Sequence, residues 1–534
     1  MTRNFLTSVL LSSLLLFVGS ACSDKESPTD EPKPDNNDNT STKTEVLTKR
    51  YTDGLTFYSQ KLEQQVTYSV YVPQEYLNDT SASFAVVYLF HGYGDSPDSW
   101  NADHFDIQTV DESARKAGII EPVIYVMPDG YKSYYVNRYD GSFNYMDMFV
   151  DEFVPLIDKL LRTRPDAKHR AIAGYSMGGF GALTMVSKHP DMFGTCIALS
   201  PSLNTDAQYR TLGGWDSQWG SIFGGKGTTG DSRLTSYYKS MCPLHFFSSN
   251  PSQFSSVKYY IDCGDDEERL YAGNGELHSL MRDMGIKHEY RVRNGAHTTA
   301  YWREGLREGL AVFSAAINGT DYVSETAINV PTGDAPSEVS VNNAPCAVKL
   351  FTGAGYRANE NSHVAYVEIG DSPAGITAND IVDVFASNLA LKNMALAIVR
   401  SEDAGNTDAD ELFTAVESTL GITGVDSHRQ FLVCGSNLKI FSPIATSGRQ
   451  VASFYFYDSD FTPASGAKLK ASRYGIDITD DGTNYKAALS TFCAIRDAGT
   501  TVEYRVHNGT DNSTCAHYGL YNLVSFMVSN VPIR

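Results

Sequence analysis

Basic residues are in deficit in this 534-residue chain: 43 Lys and Arg stand against 63 Asp and Glu, a formal net charge of −20. No basic stripe offsets that excess, so nucleic-acid phosphate is repelled and nucleic acid is excluded as a partner. Paired metal-ligand spacing is missing too. The eight cysteines are scattered, with no Cys-x-x-Cys and no His/Cys pairing. That pattern points to isolated thiols rather than a zinc site or a disulfide framework, and neither a metal nor a cofactor is expected. An apolar run of comfortable spanning length is also lacking, because Phe5–Val18 is too short to cross a bilayer.

That run follows a short positive segment at Arg3 and precedes Gly19-Ser20-Ala21-Cys22, which resembles a bacterial lipoprotein signal. The expectation is a leader over residues 1–21, lipid attachment at Cys22, and a membrane tether that needs no spanning helix. Residues 22–46 are polar and poor in large apolar side chains, the composition of a disordered stalk. An exported protein follows, outer-membrane or cell-surface, with a periplasmic location as the alternative. Length and a hydrophobic content of 42% then suit two α/β domains, 47–318 and 319–534.

The most informative segment is Ala171-Ile-Ala-Gly174-Tyr175-Ser176-Met177-Gly178-Gly179. An apolar strand over 170–175 turns through a serine into a helix over 178–189 that Pro190 ends. This strand–turn–helix context turns Gly-x-Ser-x-Gly into a nucleophile elbow, with the serine exposed on a strained turn at a helix N-terminus. A serine hydroxyl needs a base, and the base an orienting acid. His297, delivered to a loop after the β-type run Glu289–Arg293, is the candidate base. Between the two, Tyr259–Asp262 opens into an acidic loop where Glu267 is the preferred acid and Asp266 the alternative. The oxyanion donors would be the backbone N–H groups of Met177 and of Tyr93, the latter in a loop after the strand Phe84–Phe90. His91, at the end of that strand, is assigned to shaping this loop rather than to proton transfer.

The His91-Gly92 loop, Met127-Pro128-Asp129-Gly130, the elbow, Lys188-His189-Pro190 and Gly295-Ala296-His297 with Trp302 together resemble the esterase D-type esterases over residues 47–318. These include carbohydrate esterase family 1, with feruloyl and acetylxylan esterases, and the related S-formylglutathione hydrolases and mycolyltransferases. The resemblance implies an α/β-hydrolase fold with a mostly parallel, doubly wound sheet. It also implies a triad of Ser176, Glu267 and His297, with Glu267 standing where the family carries Asp. The implied activity is hydrolysis of feruloyl or acetyl esters on plant xylan-type polysaccharide. The alternatives are a non-catalytic glycan-binding surface lipoprotein and an S-formylglutathione hydrolase-like thioesterase.

The chain also repeats itself. Glu289-Tyr290-Arg291-Val292 returns as Glu503-Tyr504-Arg505-Val506, and Arg282-Asp283 as Arg496-Asp497. Phe431–Ser436 similarly answers to Ala171–Ser176, so the second half is expected to be a degenerate, non-catalytic copy. Where His297 is required the copy has Asp511, with His517 as a conceivable substitute. It also lacks a counterpart of residues 202–250, whose aromatics suggest a cap over the site. Tyr135, Trp215, Trp219 and Trp302 are the candidate substrate contacts.

Overall fold

The computed structural model describes residues 47–322 and 333–529, apart from 360, 373–374, 389, 393, 508 and 510–512. The expected leader, Cys22 and stalk lie outside the described residues, as do Asp511 and the side chain of His517.

Eight strands form the first sheet: β1 (Tyr51–Ser59), β2 (Gln64–Tyr71), β3 (Ala85–Phe90), β4 (Val123–Pro128), β5 (Arg170–Tyr175), β6 (Thr195–Leu199), β7 (Lys258–Asp262) and β8 (Glu289–Arg291). Their order is β1-β2-β4-β3-β5-β6-β7-β8. The β1/β2 and β2/β4 pairs are antiparallel, and the rest are parallel. Strands β3 to β6 are buried along their whole length, as expected of parallel strands covered on both faces. Val86, Tyr88 and Phe90 pack into one apolar layer with Phe149, Phe153 and Phe180. Val87 and Leu89 face the opposite layer with Trp100, Trp302 and Leu306. From β3 the chain steps first to β4 and later to β5 on the other side. That reversal opens a crevice beyond the carboxyl ends of β3 and β5, where ligands bind in open α/β sheets.

The second sheet contains β9 (Ser337–Val339), β10 (Val348–Thr352), β11 (His363–Ile369), β12 (Met394–Arg400), β13 (Arg429–Cys434), β14 (Ser453–Tyr457), β15 (Arg473–Thr479) and β16 (Val502–His507). Its order, β9-β10-β12-β11-β13-β14-β15-β16, repeats the first strand for strand. The α/β-hydrolase fold is therefore duplicated. The edge strands of the two sheets meet where Val292 and Val506 exchange N–H···O bonds of 3.2 and 3.1 Å.

Strand register corrects one expectation about the copy. Ser176 N donates to Leu199 O at 2.9 Å, and the corresponding donor to Tyr457 O, at 3.0 Å, is Gly435. Gly435 (φ 80°), not Ser436, thus occupies the turn position that Ser176 (φ 56°) holds in the first sheet. Ser436 instead pairs its backbone with Asp371. Sequence matching favoured the serine because a side chain is visible in a sequence and a one-residue register shift is not. The helix Met177–Lys188 has a short 3₁₀ segment, Ser442–Thr446, where its counterpart would lie.

Candidate active site

Ser176 sits at φ 56°, ψ −117° between β5 and the helix Met177–Lys188. For a residue with a β-carbon that conformation costs about 1–3 kcal/mol and persists only when its surroundings enforce it. Ser176 N bonds Leu199 O, and Ser176 O accepts from Ser202 N at 2.8 Å. A β-carbon on Gly178 would lie 2.0 Å from the carbonyl oxygen of Phe90. The second glycine of the elbow is therefore required for the helix to press against β3. Met177 is the first residue of that helix, so its N–H has no partner within the helix and lies at the positive end of the dipole.

His91 is fully buried, and both ring nitrogens are engaged by backbone. Nε2 accepts from Gly130 N at 2.8 Å, so the proton is on Nδ1, which donates to Gly92 O at 2.9 Å. Because the peptide group is planar and trans, fixing the Gly92 carbonyl toward His91 turns the Tyr93 N–H to the opposite side. His91 is thus occupied in holding this loop. The Tyr93 hydroxyl donates to Ser217 O at 3.3 Å, which ties the loop to the segment inserted after β6.

The histidine and acid loops interlock. A β-carbon on Gly264 would fall 1.9 Å from Gly295 O, so only glycine permits this approach. Asp266 N donates to Gly295 O at 3.0 Å, and Gly295 N donates to the Asp265 carboxylate at 3.2 Å. From this junction the Glu267 carboxylate meets His297 Nδ1 with both oxygens, at 3.0 and 2.8 Å. A carboxylate can only accept, so Nδ1 carries the proton and Nε2 is left with its lone pair. Glu267 is 2% exposed, while the imidazole side chain is 39% exposed. The alternative acid, Asp266, is exposed, and its carboxylate makes no bond to the imidazole.

The four expected substrate contacts are not open rings. Tyr135 is fully buried; it stacks on Phe90 at 3.9 Å and donates to His91 O at 3.1 Å, so it supports the His91–Tyr93 loop from below. Trp215 and Trp219 are each 1% exposed and pack with Tyr209 and Tyr238 as the core of the inserted segment. That segment is built of short helical turns, so it must bury its own rings to hold together. Trp302 is buried as well. It stacks on Tyr175 at 4.5 Å, meets His297 edge-on at 4.7 Å, and donates Nε1–H to Ser200 Oγ at 3.0 Å. Its role is to connect the residue before Ser176 to the imidazole, which brings elbow and histidine to one rim of the sheet.

Three supporting features escape a reading of the sequence. Tyr175 donates to Asp95 at 2.7 Å, bracing the loop that carries Tyr93 against the turn at Ser176. Ser200 takes φ 41° to meet Trp302. Arg496, from the second half, donates to the backbone carbonyls of Asp265 and Glu267. Only Arg496 left a signal in the sequence, through the internal match of Arg496-Asp497 to Arg282-Asp283.

Residues 59–313 match a family model described as "Putative esterase". Over 262 residues the chain is 26% identical to an endo-1,4-beta-xylanase/feruloyl esterase of Xylanibacter ruminicola, covering 48% of this chain and 30% of that protein. Over 251 residues it is 28% identical to an esterase of Mycobacterium tuberculosis, covering 43% of this chain and 52% of the other. The match thus spans well under two thirds of either relative. A solved structure titled ferulic acid esterase is 26% identical, covering 50% of this chain and 98% of that one with a TM-score of 0.43. The strained turn at Ser176, the His91–Tyr93 loop and the interlocked loops of Glu267 and His297 all lie within residues 59–313, the part of the chain that is similar to the putative esterase family.

Proposed function

We propose that the protein is a serine carboxylic ester hydrolase whose reaction is acyl transfer to water. The observation that carries this is the doubly bonded Glu267–His297 pair on the rim that also presents the strained Ser176. His297 Nε2 takes the proton of Ser176 as its oxygen attacks the ester carbonyl, and the Glu267 carboxylate stabilises the imidazolium. Negative charge on the carbonyl oxygen is met by the Met177 and Tyr93 N–H groups. The imidazolium then protonates the departing alcohol, and water repeats the sequence on the acyl-enzyme.

The finer reading is feruloyl or acetyl ester cleavage on plant xylan-type polysaccharide. Its support is the feruloyl esterase/xylanase relative and the resemblance in the motifs. An aromatic lining no longer adds to it, because those rings are buried. The thioesterase reading is weakened by the exported location inferred from the leader and Cys22, itself part of this proposal. The second sheet is proposed to lack hydrolase chemistry. Gly435 has no nucleophile, and Glu368 occupies the strand position of Phe90, accepting the N–H groups of Lys439, Ile440 and Phe441. A buried carboxylate there would repel an oxyanion. Hydrolysis of p-nitrophenyl acetate and methyl ferulate by the full chain, and by Ser176→Ala, tests the proposal. No turnover of either ester by the parent protein would favour the glycan-binding alternative.

A further inference from the structure

The two halves meet around a local twofold relation in which each residue contacts the counterpart of its own partner. Arg291 of β8 bonds the Asp480 carboxylate at 2.6 Å, and Arg505 of β16 bonds that of Asp265. Tyr290 N donates to Asp480 at 3.2 Å, and Tyr504 N to Asp265 at 3.1 Å. Arg282 Nη1 donates to Asp480 O at 2.6 Å, and Nη2 to Asp481 O at 2.9 Å and Gly482 O at 3.4 Å. Its counterpart Arg496 donates through Nη1 to Asp265 O and through Nη2 to Glu267 O at 2.9 Å. Tyr271 packs on Phe492, and Tyr485 on His278. This is the self-complementary contact of a two-fold dimer, here made within one chain.

The symmetry fails in one respect. The loop held by Arg496 ends in Glu267, bonded to His297, whereas the loop held by Arg282 ends in Gly482, which has no side chain. Resting on the reading of Glu267 as the acid of the triad, we propose that the second half acts as a positioning subunit for catalysis. Arg496 and Arg505 fix the loop Cys263–Glu267 so that the Glu267 carboxylate stays on His297. Arg496 grips the main chain on both sides of Asp266, and its planar fork suits two carbonyls better than a lysine would. Arg505 pairs with Asp265, whose carboxyl is raised by burial and brought back only in part by that guanidinium. Arg496 touches neither substrate nor imidazole; it acts through Glu267.

The symmetry also supplies the control. In the full-length protein, Arg496→Ala should lower kcat by about 10–100-fold, the usual range for a residue that orients a site ligand, with little change in KM. Arg282→Ala removes the matching bonds at the loop without an acid. It should lower the melting temperature comparably but keep kcat within about threefold of the parent, since it orients no acid. In a Glu267→Gln background, Arg496→Ala should add almost nothing, because effects routed through one group are not additive. Where Arg496→Ala does not accumulate as folded protein, Arg496→Lys serves, with a smaller loss of kcat expected. Unchanged kcat in Arg496→Ala or Arg496→Lys overturns the proposal. So does an equal loss in Arg282→Ala, or the same loss with Glu267→Gln present. A Glu267→Gln protein with full activity would instead overturn the assignment of the acid, which keeps the two failures apart.

Discussion

The two sheets share one strand order and one set of strand directions, yet only the first carries an elbow. Between them the strands are preserved and the loops beyond their carboxyl ends are not. Ser176 is matched by Gly435, the helix Met177–Lys188 by a 3₁₀ turn, and Phe90 by Glu368. The architecture of an α/β sheet is carried by buried strands and tolerates such exchanges. Catalysis depends on a few loop residues at the crevice and does not. The halves also share the interface, where Arg282, Arg291 and their counterparts Arg496 and Arg505 all remain engaged.

The sharpest way to break this comparison is at the nucleophile. Ser176→Ala should remove nearly all ester hydrolysis, on the order of 10⁵–10⁶ in kcat, while Ser436→Ala leaves the rate alone. Comparable losses from the two, with unchanged circular dichroism, would make the second half a catalyst. Next in size is the acid. Glu267→Gln should cost about 10³–10⁴ in kcat, and Asp266→Asn far less, as its carboxylate is exposed; steady-state kinetics showing the reverse ranking would move the role to Asp266.

A chain ending near Asn318 probes the interface itself. It would leave Asp265 without Arg505 and Arg291 without Asp480, and would open to water the ring contacts of Tyr271 with Phe492 and of His278 with Tyr485. Against a typical domain stability of about 5–15 kcal/mol, the truncated protein should melt well below the parent or aggregate. An unchanged melting curve would show that the halves are independent.

The smallest effect concerns acid. His278, at the interface against Tyr485, is held well below the ordinary histidine range, first by burial and then by His288, Arg282 and Arg291. Its Nδ1 bonds His288 Nε2 at 2.9 Å. Because the folded state depresses this pKa, the stability it confers is complete above about pH 6.5 and is lost as pH falls below that value. The second half already has Phe492 at the matching position. His278→Phe should therefore flatten the fall in stability between about pH 7 and 5 by up to ~1.4 kcal/mol per pH unit, one proton's worth. Denaturant melts across that range with an unaltered slope would clear His278 of the effect.

Much of this molecule could be read from the chain. Continuous apolar runs announced β3 and β5, because strands buried on both faces admit little else. Gly174-Tyr175-Ser176-Met177-Gly178 announced the elbow, because only glycines allow the helix to approach β3 so closely. The recurrence of Glu289–Val292 as Glu503–Val506 announced the duplication. What remained hidden depends on which way a side chain turns and what lies across from it. Asp266 and Glu267 are neighbours of the same charge, and only the packing of Gly264 against Gly295 sends one to His297 and the other to solvent. Trp215, Trp219 and Tyr135 have the composition of a binding surface, but a segment of short helical turns needs the two tryptophans as its core, and the tyrosine is spent beneath Phe90 and His91. Gly435 replaced Ser436 at the elbow through a register visible only in the hydrogen bonds of β13 and β14. Local sequence thus determined the strands, the strained turn and the chemistry available. The tertiary structure decided which carboxylate meets the imidazole and which arginine holds its loop, because those choices come from contacts between residues as far apart as Glu267 and Arg496.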